Sequence, residues 1–296
     1  MTDIALTAPP ISDKTKGLIY GFLGVLVFSG SLPATRAAVA DFDPIFVTGA
    51  RAVIAGVLGA AMLFALKAKR PEKRDLLPLI GVTLGVVVIW PLMIAFSLKV
   101  VPSAHGTMFI GLLPLMTAIF GVLRGGERPK LRFWLFAVAG SALVVGYAFF
   151  SNGLSLSTPD LFMLIGVTVC GYGYAEGAQL TRRLGGWQAI SWALVFGMPL
   201  MLTLSFFYAP ADFHAVHAAS WLGLIYAGLM AMLVGFIFWY RGLALGGTAS
   251  VGLLQLTQPF FSFVIAFLFL GEAISGAMIA ITVAVVACVV AARRSA

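Results

Sequence analysis

The chain has 296 residues, of which 61% are hydrophobic and 10% charged, with a formal net charge of +8. Soluble domains are about half apolar and a quarter charged, so this composition excludes an ordinary soluble protein and indicates a membrane protein. No basic soluble module with interleaved aromatic residues remains, which argues against nucleic acid as a partner.

Ten apolar runs follow one another along the chain, and each is long enough to cross about 30 Å of hydrocarbon as a helix of about 20 residues. They lack the alternation of apolar and polar residues that a membrane barrel requires. The sequence therefore predicts an all-α integral membrane protein with ten transmembrane helices. In chain order, the runs cover residues 17–39, 44–66, 75–98, 102–123, 133–150, 160–180, 187–208, 221–242, 249–270 and 273–292.

The first run could be mistaken for a secretory leader, because residues 38–40 are small, as at a cleavage site. The run is too long for the apolar part of a leader, and its loss would destroy the arrangement of five plus five runs described next. We therefore expect a retained helix, preceded by a cytoplasmic tail at residues 1–16.

The two halves of the chain repeat one pattern. Pro114 precedes Glu127 by thirteen residues, and Pro259 precedes Glu272 by the same distance, so the halves are offset by 145 residues. A fixed offset of this kind is the signature of a duplicated unit. We predict a first repeat at 17–150 and a second at 160–292.

Lysine and arginine are distributed unevenly between the connections. If the amino terminus is cytoplasmic, nearly all of the 19 basic residues fall on the cytoplasmic side, and the outer connections keep only Lys99. This asymmetry predicts a bacterial inner-membrane protein with both termini in the cytoplasm. Arg36 and Arg51 lie inside predicted helices, and we expect both at the outer surface, paired with Asp41, Asp43 or Glu272.

Because each repeat has an odd number of helices, the second repeat enters the membrane from the opposite side and is inverted relative to the first. Inverted repeats are typical of secondary transporters, because two equivalent halves can exchange the side to which they open. The rival interpretation is a membrane scaffold or sensor that was duplicated but transports nothing.

Short motifs occur in both halves of the chain. They are SGSLPATR at 29–36, GAR at 49–51, LLP at 112–114, GER at 126–128, QP at 258–259 and LGE at 270–272. In this order the motifs resemble those of the EamA-type branch of the drug/metabolite transporter superfamily, and the resemblance covers nearly the whole chain. Departures occur at Phe28, where the family often has tryptophan, and at residues 124–125. The resemblance implies a central cavity bounded chiefly by helices 1, 3, 4, 6, 8 and 9, and a cargo of amino acids, related metabolites, nucleosides, sugars, sugar phosphates or drugs.

Polar and aromatic side chains at membrane depth are the candidates for the cavity lining, since such groups are costly in hydrocarbon. In the sixth run, Tyr172, Glu176 and Gln179 share one helical face. Glu176 could hold an ammonium group or carry a proton, or instead pair with Arg182 or Arg241. The candidate substrate-binding residues are Ser31, Thr35, Trp90, Met108, Tyr172, Glu176, Gln255 and Gln258.

The repeat-related acids Glu127 and Glu272 are predicted to end helices at opposite mouths of the cavity. We interpret them as gating residues whose ion pairs alternate, with Arg36 as a basic partner outside and Arg182 as one inside. The alternative interpretation is that both acids only anchor helix ends in water.

The sequence predicts no metal site, cofactor or catalytic residue. Its three histidines are scattered, each of its two cysteines stands alone, and no phosphate-binding loop occurs. We therefore expect a secondary-active or facilitative exporter rather than an enzyme, embedded in the lipid bilayer and acting on a small-molecule substrate. The oligomeric state stays open, with a monomer among the options.

Amino acids are the favoured cargo, with a broad drug or nucleoside exporter as the alternative. The predicted lining combines amide, hydroxyl and aromatic groups with one acid and lacks the basic cluster that a phosphate-bearing cargo requires. If Arg36 and Arg51 faced the cavity instead, an anionic cargo would be favoured.

The predicted topology can be tested with a reporter enzyme that is active only in the periplasm. Fused after Ala296 it is expected to give no signal, and inserted near Asn152 it is expected to give a clear one, because the fifth helix should end outside. A periplasmic signal at Ala296 would contradict the inverted arrangement.

Overall fold

The computed structural model describes residues 12–125, 130–151, 157–273 and 275–295, and every regular element in these ranges is helical. The first half contains eight α-helices and one π-helical segment. In order, they are α1 (Asp13–Ser29), α2 (Ser31–Asp41), α3 (Pro44–Ala65), α4 (Lys73–Val82), the π-helical Thr83–Ile89, α5 (Trp90–Val100), α6 (Ser103–Ile110), α7 (Leu113–Gly125) and α8 (Leu131–Ser151).

The second half follows the same plan, with its own π-helical segment and a 3-10 segment. Its elements are α9 (Thr158–Leu184), α10 (Gly186–Phe207), α11 (Ala218–Ile225), the π-helical Tyr226–Val234, α12 (Gly235–Gly246), α13 (Thr248–Gly252), the 3-10 segment Leu253–Thr257, α14 (Gln258–Leu270) and α15 (Gly276–Ser295).

Seven helical stretches among the described residues are long and apolar enough to cross a membrane. They coincide with the first, second, third, sixth, seventh, eighth and ninth predicted runs, while Leu113–Arg124 and Leu131–Leu143 form shorter apolar helices. Large apolar side chains such as Phe64 and Phe269 are exposed on the outside of the bundle. A bilayer, rather than water, suits such a surface.

The interruptions of the helices recur at the offset seen in the sequence. The helices α6 and α13 begin at Ser103 and Thr248, and α7 and α14 begin at Leu113 and Gln258, in both cases 145 residues apart. Pro114 and Pro259 occupy the first turn of the second helix in each pair, where a missing N–H costs no helical hydrogen bond. The ninth predicted run is therefore interrupted beside Pro259, and the fourth run has the corresponding interruption beside Pro114.

The π-helical segments also correspond between the halves. Adding 145 to Thr83–Ile89 gives residues 228–234, which lie inside the second π-helical segment, Tyr226–Val234. π-Helical turns within α-helices are rare and are often found at functional sites. Their recurrence at equivalent positions indicates a feature of the repeat rather than a local irregularity.

Glycines bring neighbouring helices into close antiparallel contact. Along α1 and α12, Gly17 meets Gly246 and Gly21 meets Gly242, and a Cβ atom on Gly242 would lie 2.6 Å from the backbone nitrogen of Gly21. Small residues allow this backbone approach where apolar attraction between helices gives little stabilisation in lipid. The packing of α3 against α10 uses the same device through Gly49, Gly56 and Gly59.

The contacts between the two halves are symmetric. Helices α1 and α2 pack on α12 and α11, and their counterpart α9 packs in the equivalent way on α5 and α4. Helix α3 packs on its own counterpart α10, and α8 packs on its own counterpart α15. This exchange is what a pseudo-twofold relation between the halves requires. The two halves thus form one bundle with a shared interior.

Polar contacts between helices concentrate at the two ends of the bundle. We call them the Glu272 end, which includes Asp41, Lys99 and Asp160, and the Glu176 end, which includes Asp75 and Arg124. Contacts at the Glu272 end join Asp41 to His217, Arg36 to the Leu98 carbonyl, Ser103 to Glu272 and His105 to Asp160; those at the Glu176 end join Asp75 to Arg183, Arg124 to Glu176 and Lys69 to Trp192.

The glycine contact between α1 and α12 makes a direct prediction. Gly242→Ala is expected to destabilise the protein by about 1–3 kcal/mol, because its new methyl group meets backbone atoms that cannot move aside. Thermal unfolding of the detergent-solubilised protein measures this change. Gly276→Ala is the matched control, since a Cβ atom there would meet nothing within 4 Å; equal melting temperatures for the two variants would contradict the packing.

Candidate functional site

The interruption between α1 and α2 is held by side chains from the second half. Pro33 has no N–H, so the carbonyl of Ser29 lacks its usual helical donor. The hydroxyl of Ser262 donates to that carbonyl at 2.8 Å, and the amide nitrogen of Gln258 donates to the carbonyl of Phe28 at 3.4 Å. Two polar side chains of the second repeat therefore stabilise the break in the first.

Tyr226, at the start of the second π-helical segment, completes this arrangement. Its hydroxyl donates to the carbonyl of Val27 at 2.8 Å. A Cβ atom on Gly30 would lie 2.5 Å from the same hydroxyl, so a larger residue there would displace the Tyr226 ring. The three donors together satisfy consecutive carbonyls in the interior of the bundle, where water cannot serve.

A small cavity of about 20 Å³ lies beside this break. A volume of this size holds about one water molecule, so the helices must separate before a metabolite can enter. The lining comes from six predicted runs that the family resemblance implicates, and from the second run as well. It consists of Phe28, Ser31, Leu32, Arg51, Val86, Trp90, Leu113, Tyr174, Ala231, Met232, Phe236 and Gln258.

Arg51 is the only charged residue in this lining. We expected this side chain at the outer surface. It is instead buried, with 4% exposure. The guanidinium donates from Nη1 to the hydroxyl of Thr35 at 3.5 Å, and its Nε has no partner among the described residues. The expected pairing of Arg51 with Asp41, Asp43 or Glu272 is therefore wrong.

Four predicted binding residues lie at or beside this cavity. Ser31, Trp90 and Gln258 line it, and Thr35 lies one turn from Ser31 and contacts Arg51. The Oε1 atom of Gln258 is buried and has no hydrogen-bonding partner within the described part of the chain. The cavity thus combines one cation and one free amide acceptor with aromatic walls.

Tyr172, Glu176 and Gln179 lie on one face of α9, as predicted, but that face meets α7. Glu176 forms an ion pair with Arg124 at 2.5 Å, and Gln179 donates to the Arg124 carbonyl at 3.0 Å. Tyr172 packs edge-on against Phe120 with 5.5 Å between ring centres. The partner of Glu176 is therefore Arg124, and not Arg182 or Arg241 as the alternative interpretation supposed.

Neither of the two remaining candidates is among the described residues that line the cavity. Gln255 is fully buried in the 3-10 segment. Met108 belongs to α6, but its side chain lies outside the described set, as does Glu127, one of the predicted gating residues. Arg182, predicted as a basic partner at the inner mouth, is exposed.

Glu272 caps the start of α6. Its carboxylate accepts hydrogen bonds from the backbone N–H of Ser103 at 3.1 Å and of Ala104 at 3.0 Å, and from the Ser103 hydroxyl at 2.9 Å. A carboxylate at a helix amino terminus satisfies free N–H groups and complements the helix dipole. Arg36 does not pair with it, because its guanidinium donates to the carbonyls of Leu98 and Lys99.

A wider cavity of about 680 Å³ opens at the Glu272 end. It is lined by Arg36, Asp41, Lys99 and Glu272, together with His217. Arg36 is one turn from Leu32 in α2, so this cavity begins close to the small central one. The ion-paired Glu176 end and the open Glu272 end are therefore built differently.

The described residues contain no group of three histidine, cysteine, aspartate or glutamate side chains that could hold a metal ion. His105 and Asp160 form a pair at 2.6 Å between α6 and α9, without a third ligand.

Sequence reasoning missed Tyr174 and misplaced Arg51. Residues two apart lie on nearly opposite faces of a helix, and Tyr174 rather than Tyr172 points to the central cavity. The signal for Arg51 was available: Val47 and Ala55, four residues before and after it, are apolar and buried on the same face.

Comparisons with known proteins agree with this architecture. The model of the "EamA-like transporter family" matches twice, over residues 15–154 and 157–293. The chain is 56% identical over 284 residues to the uncharacterized transporter YdeK of Bacillus subtilis, covering 96% of this chain and 99% of that protein. It is 25% identical over 261 residues to a probable terminal-alkyne amino-acid exporter of Streptantibioticus cattleyicolor, covering 84% of each.

A solved crystal structure shares the fold, with a TM-score of 0.74 and 19% sequence identity over 94% of this chain and 98% of the other. The two family matches together cover nearly all of the chain. They divide it into the same two halves in which the helix interruptions recur. Together with the relative at 56% identity, these matches establish the family. The chain belongs to the EamA-like transporter family and is a multi-pass membrane protein.

Proposed function

We propose that this transporter exports amino acids and related small metabolites across the bacterial inner membrane by alternating access. The observation that carries the proposal is the central cavity, in which Nε of Arg51 and Oε1 of Gln258 are buried without hydrogen-bonding partners among the described residues. Buried polar groups normally have partners, so such atoms mark a place where a solute supplies them. The cavity lies between the two repeats, where a transported solute must pass.

The two ends of the bundle support alternating access. At the Glu272 end the wider cavity reaches within one turn of the central lining, whereas at the Glu176 end the Arg124–Glu176 pair ties α7 to α9. We propose that this conformation is open on the Glu272 side and closed on the other. Exchange of the two arrangements would carry cargo across.

We further propose that the remaining helices complete ten crossings. These are α6 with α7, then α8, and finally α15, which would bring each repeat to five crossings and invert the second. Antiparallel contacts between α1 and α12 and between α3 and α10 are those that alternating crossings require. The asymmetry in basic residues favours the Glu176 end, with both termini, as the cytoplasmic side.

Amino acids are favoured for two reasons. The relative from Streptantibioticus cattleyicolor is a probable terminal-alkyne amino-acid exporter. Arg51 faces the cavity and so favours an anionic group, which an amino acid supplies as its carboxylate, while the other walls are mostly aromatic and apolar. We propose no catalytic role for any residue. Transport is then driven by a gradient or proceeds as facilitation.

Counterflow in liposomes containing only this protein tests the proposed function. Radiolabelled L-leucine is expected to accumulate in vesicles preloaded with unlabelled L-leucine. Trp90→Ala and Gln258→Leu should each slow this accumulation about tenfold, the factor that corresponds to about 1.4 kcal/mol of lost interaction. The control is Phe64→Ala, since Phe64 is 89% exposed and faces the surroundings of the bundle. If Phe64→Ala slowed counterflow equally, the result would contradict a role of the central cavity in transport.

The Arg124–Glu176 pair predicts a shift in conformation. Glu176→Gln is expected to open the Glu176 end, because it removes a charge whose partner remains half exposed and can hydrate. Labelling of a single cysteine at Ala178, in a background without Cys170 and Cys288, measures that opening. A rise of about tenfold corresponds to a shift of about 1.4 kcal/mol between the two conformations.

Arg74→Gln provides the matched control, since it breaks an ion pair with Glu72 that is 66% exposed on both sides. Exposed pairs of this kind contribute about 0–1 kcal/mol, so labelling should stay unchanged. Identical labelling rates in Glu176→Gln and the parent protein would show that the pair does not hold this end closed.

A further inference from the structure

Arg51 carries a positive charge into the interior of the bundle without a counter-charge among the described residues. It is the eighth residue of α3, about 10 Å along the helix from Pro44 at a rise of 1.5 Å per residue. It belongs to none of the ion pairs in the described part of the chain, and no acid lines the cavity that it faces. Burying an unpaired charge strongly opposes folding, so a compensating role is required.

Other charged groups of the bundle are treated differently. The buried acids Asp75, Asp160 and Glu176 each have a basic partner, namely Arg183, His105 and Arg124. Arg36 and Lys99, at the Glu272 end, are held by backbone carbonyls at 2.5–3.2 Å and 2.6–3.4 Å. Arg51 alone among these has only a hydroxyl at 3.5 Å. We expect a buried arginine with a purely structural role to donate hydrogen bonds to backbone carbonyls or to a carboxylate.

The surroundings of Arg51 are shaped to admit a partner. Gly228, in the second π-helical segment, lies so close that a Cβ atom there would be 3.0 Å from the Arg51 carbonyl oxygen. This contact fixes the backbone of Arg51 while its side chain reaches the cavity. Trp90, Met232 and Phe236 form apolar walls, and the free Oε1 atom of Gln258 offers an acceptor for an N–H group.

We propose that Arg51 anchors the carboxylate of the cargo, so that the transporter recognises small monocarboxylates with an apolar side chain and does not require a charged amino group. Arginine binds a carboxylate through two parallel N–H···O contacts, and Nε is available for one of them here because it has no partner among the described residues. The cavity offers a neutral amide oxygen, not an acid, to the nitrogen of the cargo. This inference rests on the proposed function, because it assigns the cavity to the cargo.

The carboxylate of the cargo supplies the negative charge that neutralises Arg51. When it binds, the charge of Arg51 is neutralised and the loaded cavity carries no net charge, or only the charge of an ammonium group if one is present. An N-acylated amino acid keeps both the carboxylate and an N–H donor for Gln258. An amino-acid amide keeps the ammonium group but adds a second positive charge beside Arg51, which repels it.

The test uses three matched compounds, L-leucine, N-acetyl-L-leucine and L-leucinamide, with two measurements. In liposomes, L-leucine and N-acetyl-L-leucine are expected to inhibit counterflow of labelled L-leucine with similar potency, and L-leucinamide at least about tenfold more weakly. In detergent, only the two carboxylates should raise the unfolding temperature. Arg51→Gln should abolish both effects, while Arg74→Gln should leave both intact.

The stability of the unliganded variants separates binding from structure. Arg51→Gln and Arg51→Met remove an unpaired buried charge, so both should unfold at the same temperature as the parent protein or higher. Lower unfolding temperatures in both variants would assign Arg51 a structural role and overturn the proposal. Equal inhibition by L-leucinamide and L-leucine would overturn it as well.

The two proposals fail in different ways. Counterflow of L-leucine that survives Arg51→Gln would refute the anchor but leave the exporter. Stabilisation by carboxylates that depends on Arg51, in a protein with no counterflow of any amino acid, would support the anchor and refute the proposed function. Absence of both counterflow and carboxylate binding would overturn the anchor together with the function.

Discussion

Backbone carbonyls released inside a membrane protein must be satisfied by the protein itself, because the hydrocarbon core offers no donor. The break between α1 and α2 depends on this constraint. Three consecutive carbonyls there accept hydrogen bonds from hydroxyl and amide groups of Ser262, Gln258 and Tyr226. Side chains of the second repeat therefore stabilise the helix break in the first repeat. The same requirement places Gln258 beside the cavity with one amide atom used and the other free.

Close helix packing supplies the second support of the architecture. Within lipid, apolar surface gives little attraction between helices, and glycine interfaces such as that of α1 with α12 contribute through direct contact of backbones. Since these interfaces join one half of the chain to the other, neither repeat has a complete interior alone. The central cavity is accordingly lined by both halves of the chain, each of which the EamA-like family model matches.

The sequence predicted the all-helical class and the duplication, because long apolar runs and a fixed offset between motifs can be read from local sequence. It also predicted that Ser31, Trp90 and Gln258 approach a common interior. Three details depended on tertiary contacts instead: the rotation of α9 that turns Tyr174 inward, the partner of Glu176 on α7, and the burial of Arg51. Arg51 was misplaced because its depth along α3 suits an outer surface, whereas its helical face, shared with Val47 and Ala55, suits the interior.

The paired π-helical segments have a mechanical consequence. A π-helical turn contains one more residue than an α-helical turn, so conversion of one segment to α geometry would rotate the chain beyond it by about 100° around the helix axis. Trp90 directly follows Thr83–Ile89, and Phe236 closely follows Tyr226–Val234. Each repeat thus holds one extra residue in an underwound turn next to an aromatic wall of the cavity. Conversion of that turn to α geometry would rotate the aromatic ring away from the cavity.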